Sequence, residues 1–289
     1  MPLRLQFLLV LLAPLAVFAA MVGADRAFGG PGHRHGYVIR FELPPVDQQT
    51  GLPDILGPAD PSRPLVVIDP GHGGKDPGAG AGQLREKAIT LALALALRDE
   101  LLKRGGIRVA LTREGDTYVI LEERSAIARR LGADLFVSIH ADSTDGDGSA
   151  NGATIYTLSD KGSNQAAERI AARENAADTI NGVKLREQSN LVSSILVDLS
   201  QRETLSRSEE FARLILREGQ GRLLFRERSE QSGAFVVLKA PDMPSVLFEA
   251  GYINNPEDAA RLTSAAGRDT FAQVNASAIR VFFARLSGA

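Results

Sequence analysis

The feature that most limits what this chain can fold into is a repeated alternation of short, wholly apolar runs with longer helical stretches. Leu65-Val66-Val67-Ile68 has no polar residue on either side of its pleat. A glycine-rich loop follows, and then 86–104, dominated by Leu and Ala and ended by Gly105-Gly106. The pattern recurs with strand signals over 107–112, 135–139 and 152–158 and a helix signal over 121–131. A continuous apolar run marks a strand buried on both faces, which requires helices above and below it. The expected fold is therefore α/β, an open and mostly parallel sheet flanked by helices. Residues 160–230 interrupt the alternation with polar, charged sequence of helical pattern. Helices are expected there over 166–174 and over 208–220, where Phe211, Leu214 and Ile215 share one face. Strands over 235–238 and 245–248 and helical sequence over 258–286 complete a domain spanning 64–289.

The first 63 residues read differently. Arg4 precedes an apolar run over 5–22, and Val22-Gly23-Ala24 offers the compact residues of a cleavage site. Residues 1–24 are expected to be a signal peptide, with an uncleaved inner-membrane anchor as the alternative. Either one places the remainder outside the cytoplasm, periplasmic or secreted. Residues 25–63 are rich in Pro and Gly and read as a linker, in which 37–43 could form one strand and His33 and His35 are flexible.

Composition removes several function classes. The 289 residues contain no cysteine, which excludes disulfides, thiolate metal sites and thiol nucleophiles. A net charge of −2 gives a nucleic-acid partner no electrostatic support.

Beyond the linker only two histidines remain, His72 and His140, and each follows a buried strand. Functional crevices of open α/β sheets lie outside the carboxyl ends of the strands. Glu249 stands at a third strand end, and Glu86 opens the first helix after a loop that returns from His72. Two imidazoles and a carboxylate leave a fourth metal position open for water, and a separate carboxylate could move the proton. Ordinary structural roles remain open alongside: loop and strand-end histidines, and a Glu that complements the helix dipole. Asp69 and Asp142 could fix a histidine tautomer from behind or cap loops.

Four blocks then resemble a known family in its own order. They are 67–79 (Val-Ile-Asp-Pro-Gly-His-Gly-Gly-Lys-Asp-Pro-Gly-Ala), Leu111-Thr112-Arg113 with Asp116 and Arg124, Ser138-Ile139-His140-Ala141-Asp142, and 246–255 ending Glu249-Ala250-Gly251-Tyr252-Ile253-Asn254-Asn255. The chain is similar to the zinc-dependent N-acetylmuramoyl-L-alanine amidases of the type 3 family. That resemblance implies one Zn2+ held by His72, Glu86 and His140, and Glu249 as the catalytic carboxylate. The implied reaction cuts peptidoglycan between muramic acid and L-alanine. Residues 160–230 resemble the division-amidase subgroup, in which a helix blocks the metal cleft until an activator with a LytM-type domain displaces it. Glu168 or Glu174 would supply the blocking carboxylate, with a surface helix of solvated charges as the alternative. The stretch before residue 64 is too short for the wall-binding module many of that subgroup carry. Rival readings are a zinc peptidase acting on the same polymer and a non-catalytic peptidoglycan-binding module.

Overall fold

A computed structural model describes residues 51–143, 148–180, 183–184 and 195–288. The signal-peptide reading of 1–24, the strand over 37–43, His33 and His35 lie outside the described residues. Six strands form one sheet: β1 (Leu65–Pro70), β2 (Arg108–Leu111), β3 (Leu135–His140), β4 (Ala153–Leu158), β5 (Phe225–Gly233) and β6 (Ser245–Glu249). Their order across the sheet is β2-β1-β3-β6-β4-β5. All neighbours run parallel except β6 and β4. The sheet is thus open and mostly parallel, as its apolar runs demand.

Alternate side chains explain why those runs show no polar face. Val66, Ile68, Val137, Ile139, Val246 and Phe248 enter one core. There they meet α1 (Glu86–Arg104), α4 (Ile195–Gly219) and α6 (Ala265–Ser287), which contribute Leu93, Phe211 and Phe282 among others. Val67, Phe136, Leu247 and Tyr156 enter a second core on the opposite face. That core is closed by α2 (Leu121–Arg130) and α3 (Gln165–Glu174), through Leu121, Ala128, Ala167, Ile170 and Ala171. Each fully buried apolar side chain is worth roughly 1.5–3 kcal/mol relative to exposure, so both layers are needed to hold the sheet.

Several local expectations change. Residues 235–238 were expected as a strand, but 236–238 form a 3-10 turn. Four apolar residues alone do not separate a strand from a buried turn. Here Asn175 Oδ1 accepts the Val236 N–H at 2.8 Å, drawing the backbone away from any ladder. Conversely, 225–230 fall in the stretch expected to be helical insertion, yet they form most of β5. As the edge strand it pairs on one side only, so Glu227, Arg228 and Glu230 face solvent and blunt the open edge. The C-terminal sequence divides into α5 (Pro256–Thr263) and α6 at Ser264, whose Oγ caps the Gly267 N–H at 3.0 Å. The other edge of the sheet is also covered. Leu56, from the linker-like stretch, exchanges both backbone bonds with Val109 of β2, at 2.8 and 2.9 Å.

Candidate active site

The carboxyl ends of β1, β3 and β6 are adjacent, so the loops and residues that follow them share one crevice. His72 comes two residues after β1, His140 ends β3, and Glu249 ends β6. His140 and Glu249 are paired in register. The two imidazole centroids lie 4.9 Å apart, near perpendicular at 75°.

Turning back so sharply after β1 strains the chain. His72 has φ +60°, the one positive φ among the described non-glycine residues. Two buried guanidiniums hold that turn in place. Arg124 donates to the carbonyls of Pro70 and His72, each at 2.9 Å, and pairs with Asp69 at 2.8 Å. Arg113 donates to the carbonyls of Pro70 and Gly71 at 2.9 and 2.8 Å. Asp69 also accepts from the hydroxyls of Thr112 (2.5 Å) and Ser138 (2.7 Å). Burial pushes Asp69 up, but the Arg124 charge and these hydroxyls outweigh it and hold the carboxyl below its ordinary range. Gly71 answers a different need: a Cβ there would come within 2.4 Å of His140 Cε1.

Asp69 therefore acts on the backbone of the His72 turn and not on an imidazole. Asp142 likewise touches no histidine. Its N–H donates to Glu249 Oε2 at 3.1 Å, and its carboxylate is held by Arg173 of α3. The tautomer-fixing partner is Asp76, whose Oδ2 lies 2.7 Å from His72 Nδ1. Its signal in the sequence was the four-residue spacing from His72 within one loop. With Nδ1 so engaged, His72 turns Nε2 toward the crevice.

Glu86 does reach that crevice. Although it opens α1, its carboxylate turns inward, where it accepts the N–H groups of Ala79 (2.8 Å) and Ala141 (2.9 Å). Oε2 stands 3.1 Å from His72 Nε2, and Oε1 stands 3.2 Å from His140 Nδ1. A fourth group completes the cluster. Glu174, the last residue of α3, places Oε2 3.2 Å from His72 Nε2 and 2.9 Å from His140 Nδ1. Glu168, in the first turn of the same helix, is exposed and remote from this point.

The donor set fits a metal ion. Ligand atoms from His72, Glu86, His140 and Glu174 all lie within 4.8 Å of one another, and all four residues are buried. His72 Nε2 and Glu174 Oε2 are buried without a hydrogen-bond partner among the described residues. Burial alone would lower the His140 pKa, yet Glu174 and Glu86 draw it up to about 10. Burial would raise Glu174, yet the two imidazoles pull it down to about 2. Both shifts say that two buried carboxylates require positive charge between them, which a divalent cation supplies. Glu249 belongs to a different environment. Burial and the Asp142 carboxylate push it well above the usual range, and its Oε1 has no partner among the described residues.

The sheet and crevice together define an α/β protein, a mostly parallel sheet between helices, whose buried His/Glu cluster can hold a metal ion. The chain belongs to the N-acetylmuramoyl-L-alanine amidase family (Amidase_3), whose sequence profile matches residues 66–281. It is 40% identical over 221 residues to the N-acetylmuramoyl-L-alanine amidase AmiA of Escherichia coli K12, covering 76% of each chain. Over 222 residues it is 39% identical to the amidase AmiC of Neisseria meningitidis, covering 75% of this chain and 52% of that one. Among solved structures it resembles amidase AmiC2 of Nostoc punctiforme, with a TM-score of 0.54 and 30% identity over 77% of this chain and 98% of that one. It is thus an enzyme, an N-acetylmuramoyl-L-alanine amidase acting on peptidoglycan.

Proposed function

We propose that this amidase is zinc-dependent, that His72, Glu86 and His140 are its protein ligands, and that Glu249 is its catalytic carboxylate. The observation that carries this reading is the convergence of those ligand atoms with Glu174 within 4.8 Å, beside a separate buried acid. A bound zinc ion supplies Lewis-acid activation of water and of the scissile carbonyl. Asp76 orients His72, and the two N–H groups from Ala79 and Ala141 orient Glu86. Glu249 takes up the proton of the attacking water at its free Oε1 and delivers it to the departing amide nitrogen. Its raised pKa suits a group that must hold a proton between those two steps.

In this reading Glu174 is the blocking residue. Its carboxylate lies between the two imidazoles, where substrate must enter. The neighbouring Arg173 fastens the same turn of α3 to Asp142 and to the Ser143 carbonyl. The described conformation is then an inhibited one, released when an activator with a LytM-type domain draws α3 away, which would confine wall cutting to daughter-cell separation. Location outside the cytoplasm, periplasmic or secreted after removal of 1–24 or held at the inner membrane, accords with a wall substrate. Among the described residues no helix is long and apolar enough to cross a membrane.

Metal analysis combined with digestion of purified sacculi tests the catalytic part. The full chain should contain one zinc and release free stem peptides with intact glycan strands. Chelator should abolish release, and Glu249→Gln should keep the metal and lose activity by about 100-fold or more. Peptide-bond products would favour the peptidase reading, and an active Glu249→Gln enzyme would remove Glu249 from its role.

A further inference from the structure

The strand order sets out a direction along the carboxyl edge of the sheet: His72 after β1, His140 on β3, Glu249 on β6, then β4 and β5. Arg226 of β5 and Tyr252 on the loop after β6 meet beyond Glu249, and Tyr156 of β4 lies two residues along from Thr154, the strand partner of Glu249. Tyr156 of β4 lies opposite Leu247, on the same face as Thr154, which pairs with Glu249. Its hydroxyl is buried and has no partner among the described residues. Tyr252, three residues after Glu249, is 1% exposed, and its hydroxyl accepts from Arg226 Nη1 at 2.5 Å. The Arg226 guanidinium also lies 5.3 Å from the Tyr252 ring centre.

Arg226 reaches this place through an irregularity in β5. Between the pairs Ala153↔Phe225 and Ile155↔Glu230, β5 advances five residues while β4 advances two. Three extra residues therefore bulge from the ladder, and such bulges re-aim side chains at sheet edges. The bulged segment, with the start of α3, lines a cavity of about 500 Å3 bounded by Asn164, Gln165, Arg226, Glu227, Arg228 and Gln231. Two guanidiniums against one carboxylate give that lining a net positive charge. Arg226 makes no ion pair among the described residues. Both phenols stay protonated across the working range: burial and Glu249 push Tyr156 up, and burial pushes Tyr252 to about 12 despite Arg226. Arg226 thus stands on the wall of that cavity with no carboxylate partner among the described residues, held from behind by the buried Tyr252 hydroxyl.

We propose that Arg226, positioned by Tyr252, is a specificity residue that binds a free carboxylate in the stem peptide of the substrate. The inference rests on the amidase reading with Glu249 as proton carrier. Glu249 serves the leaving nitrogen, so the side of Glu249 away from the imidazoles faces the departing peptide. Two strand spacings separate β6 from β5, about 10 Å, the span of about three extended residues. A carboxylate within the first three residues of the stem therefore reaches Arg226 while the scissile amide lies at the crevice. Arg is suited to the task because its planar fork matches a carboxylate in two bonds.

The test uses the full-length, zinc-loaded chain and two synthetic muramoyl-tripeptides, one with a free stem carboxylate and one with the matching carboxamide. The wild type should prefer the carboxylate. Arg226→Gln should lose about 10- to 100-fold in kcat/KM on the carboxylate substrate, chiefly through KM, with little change on the carboxamide. Arg226→Lys should recover part of the preference. Zinc content and thermal unfolding, measured on each variant, separate binding loss from misfolding. Equal losses on both substrates, or none on either, would overturn the proposal. A wild type that cleaves neither substrate would instead overturn the amidase reading beneath it.

Discussion

Replacing Glu174 with alanine should switch the enzyme on. The substitution deletes a carboxylate oxygen 2.9 Å from His140 Nδ1 and 3.2 Å from His72 Nε2, in a residue only 3% exposed. A contact between buried charged groups is worth about 1.5–3 kcal/mol, the scale of a hydrogen bond to a charged group. A closed state that loses one such contact shifts toward the open state by about 10- to 150-fold. The helix itself should persist. Ala167, Ile170 and Ala171 keep α3 packed on its core, Asn164 still caps its start, and alanine favours helix. Dye release from labelled sacculi by the full chain, without activator, reads the effect, with zinc content measured in parallel. Basal release should rise by at least tenfold, while Glu168→Ala, at the exposed end of α3, should leave it unchanged. A folded, zinc-loaded Glu174→Ala enzyme with unchanged or lower activity would refute the blocking role and make Glu174 a required ligand.

Two further outcomes follow from the walls of the crevice. Gly71→Ala drives a methyl group into the His140 ring, so zinc occupancy should fall below half and stability by about 1–3 kcal/mol; a fully loaded variant would contradict the packing. Asp69→Asn leaves Arg124 buried without its charge partner, at a cost of about 3–5 kcal/mol near pH 7. Because the folded-state pKa of Asp69 is depressed, that advantage is complete above the ordinary carboxylate range and fades as pH falls through the folded value. Urea unfolding should therefore show a constant gap between wild type and variant above about pH 5 and a shrinking one below about pH 4. A gap that stays constant down to pH 3 would remove the charge pair from the account.

The chain's apolar runs were enough to predict the α/β layering, because a strand with no polar face is stable only between two helix layers. Strand ends then singled out His72, His140 and Glu249, since topology carries those ends to one edge. The family blocks supplied a substrate and a set of ligands that spacing could not. Residues 225–233 escaped because an edge strand with one partner is free to be polar and so carries no apolar signature. Residues 235–238 misled because a buried turn has the same composition as a short strand. The true partner of His72 Nδ1 was visible as Asp76 in the loop, but only φ +60° at His72 decides which carboxylate the ring meets.

What sequence determined by itself was the class of fold, the edge at which chemistry could occur, and the residue types available there. Tertiary structure brought Glu174, and not Glu168, to the two histidines, turned Asp69 toward Arg124 rather than an imidazole, and set Arg226 beside Tyr252. The physical reason is the same in each case. Periodicity reports which face of an element is buried, whereas the direction of one side chain depends on a bulge, a helix end or a strained turn that many distant contacts hold in place.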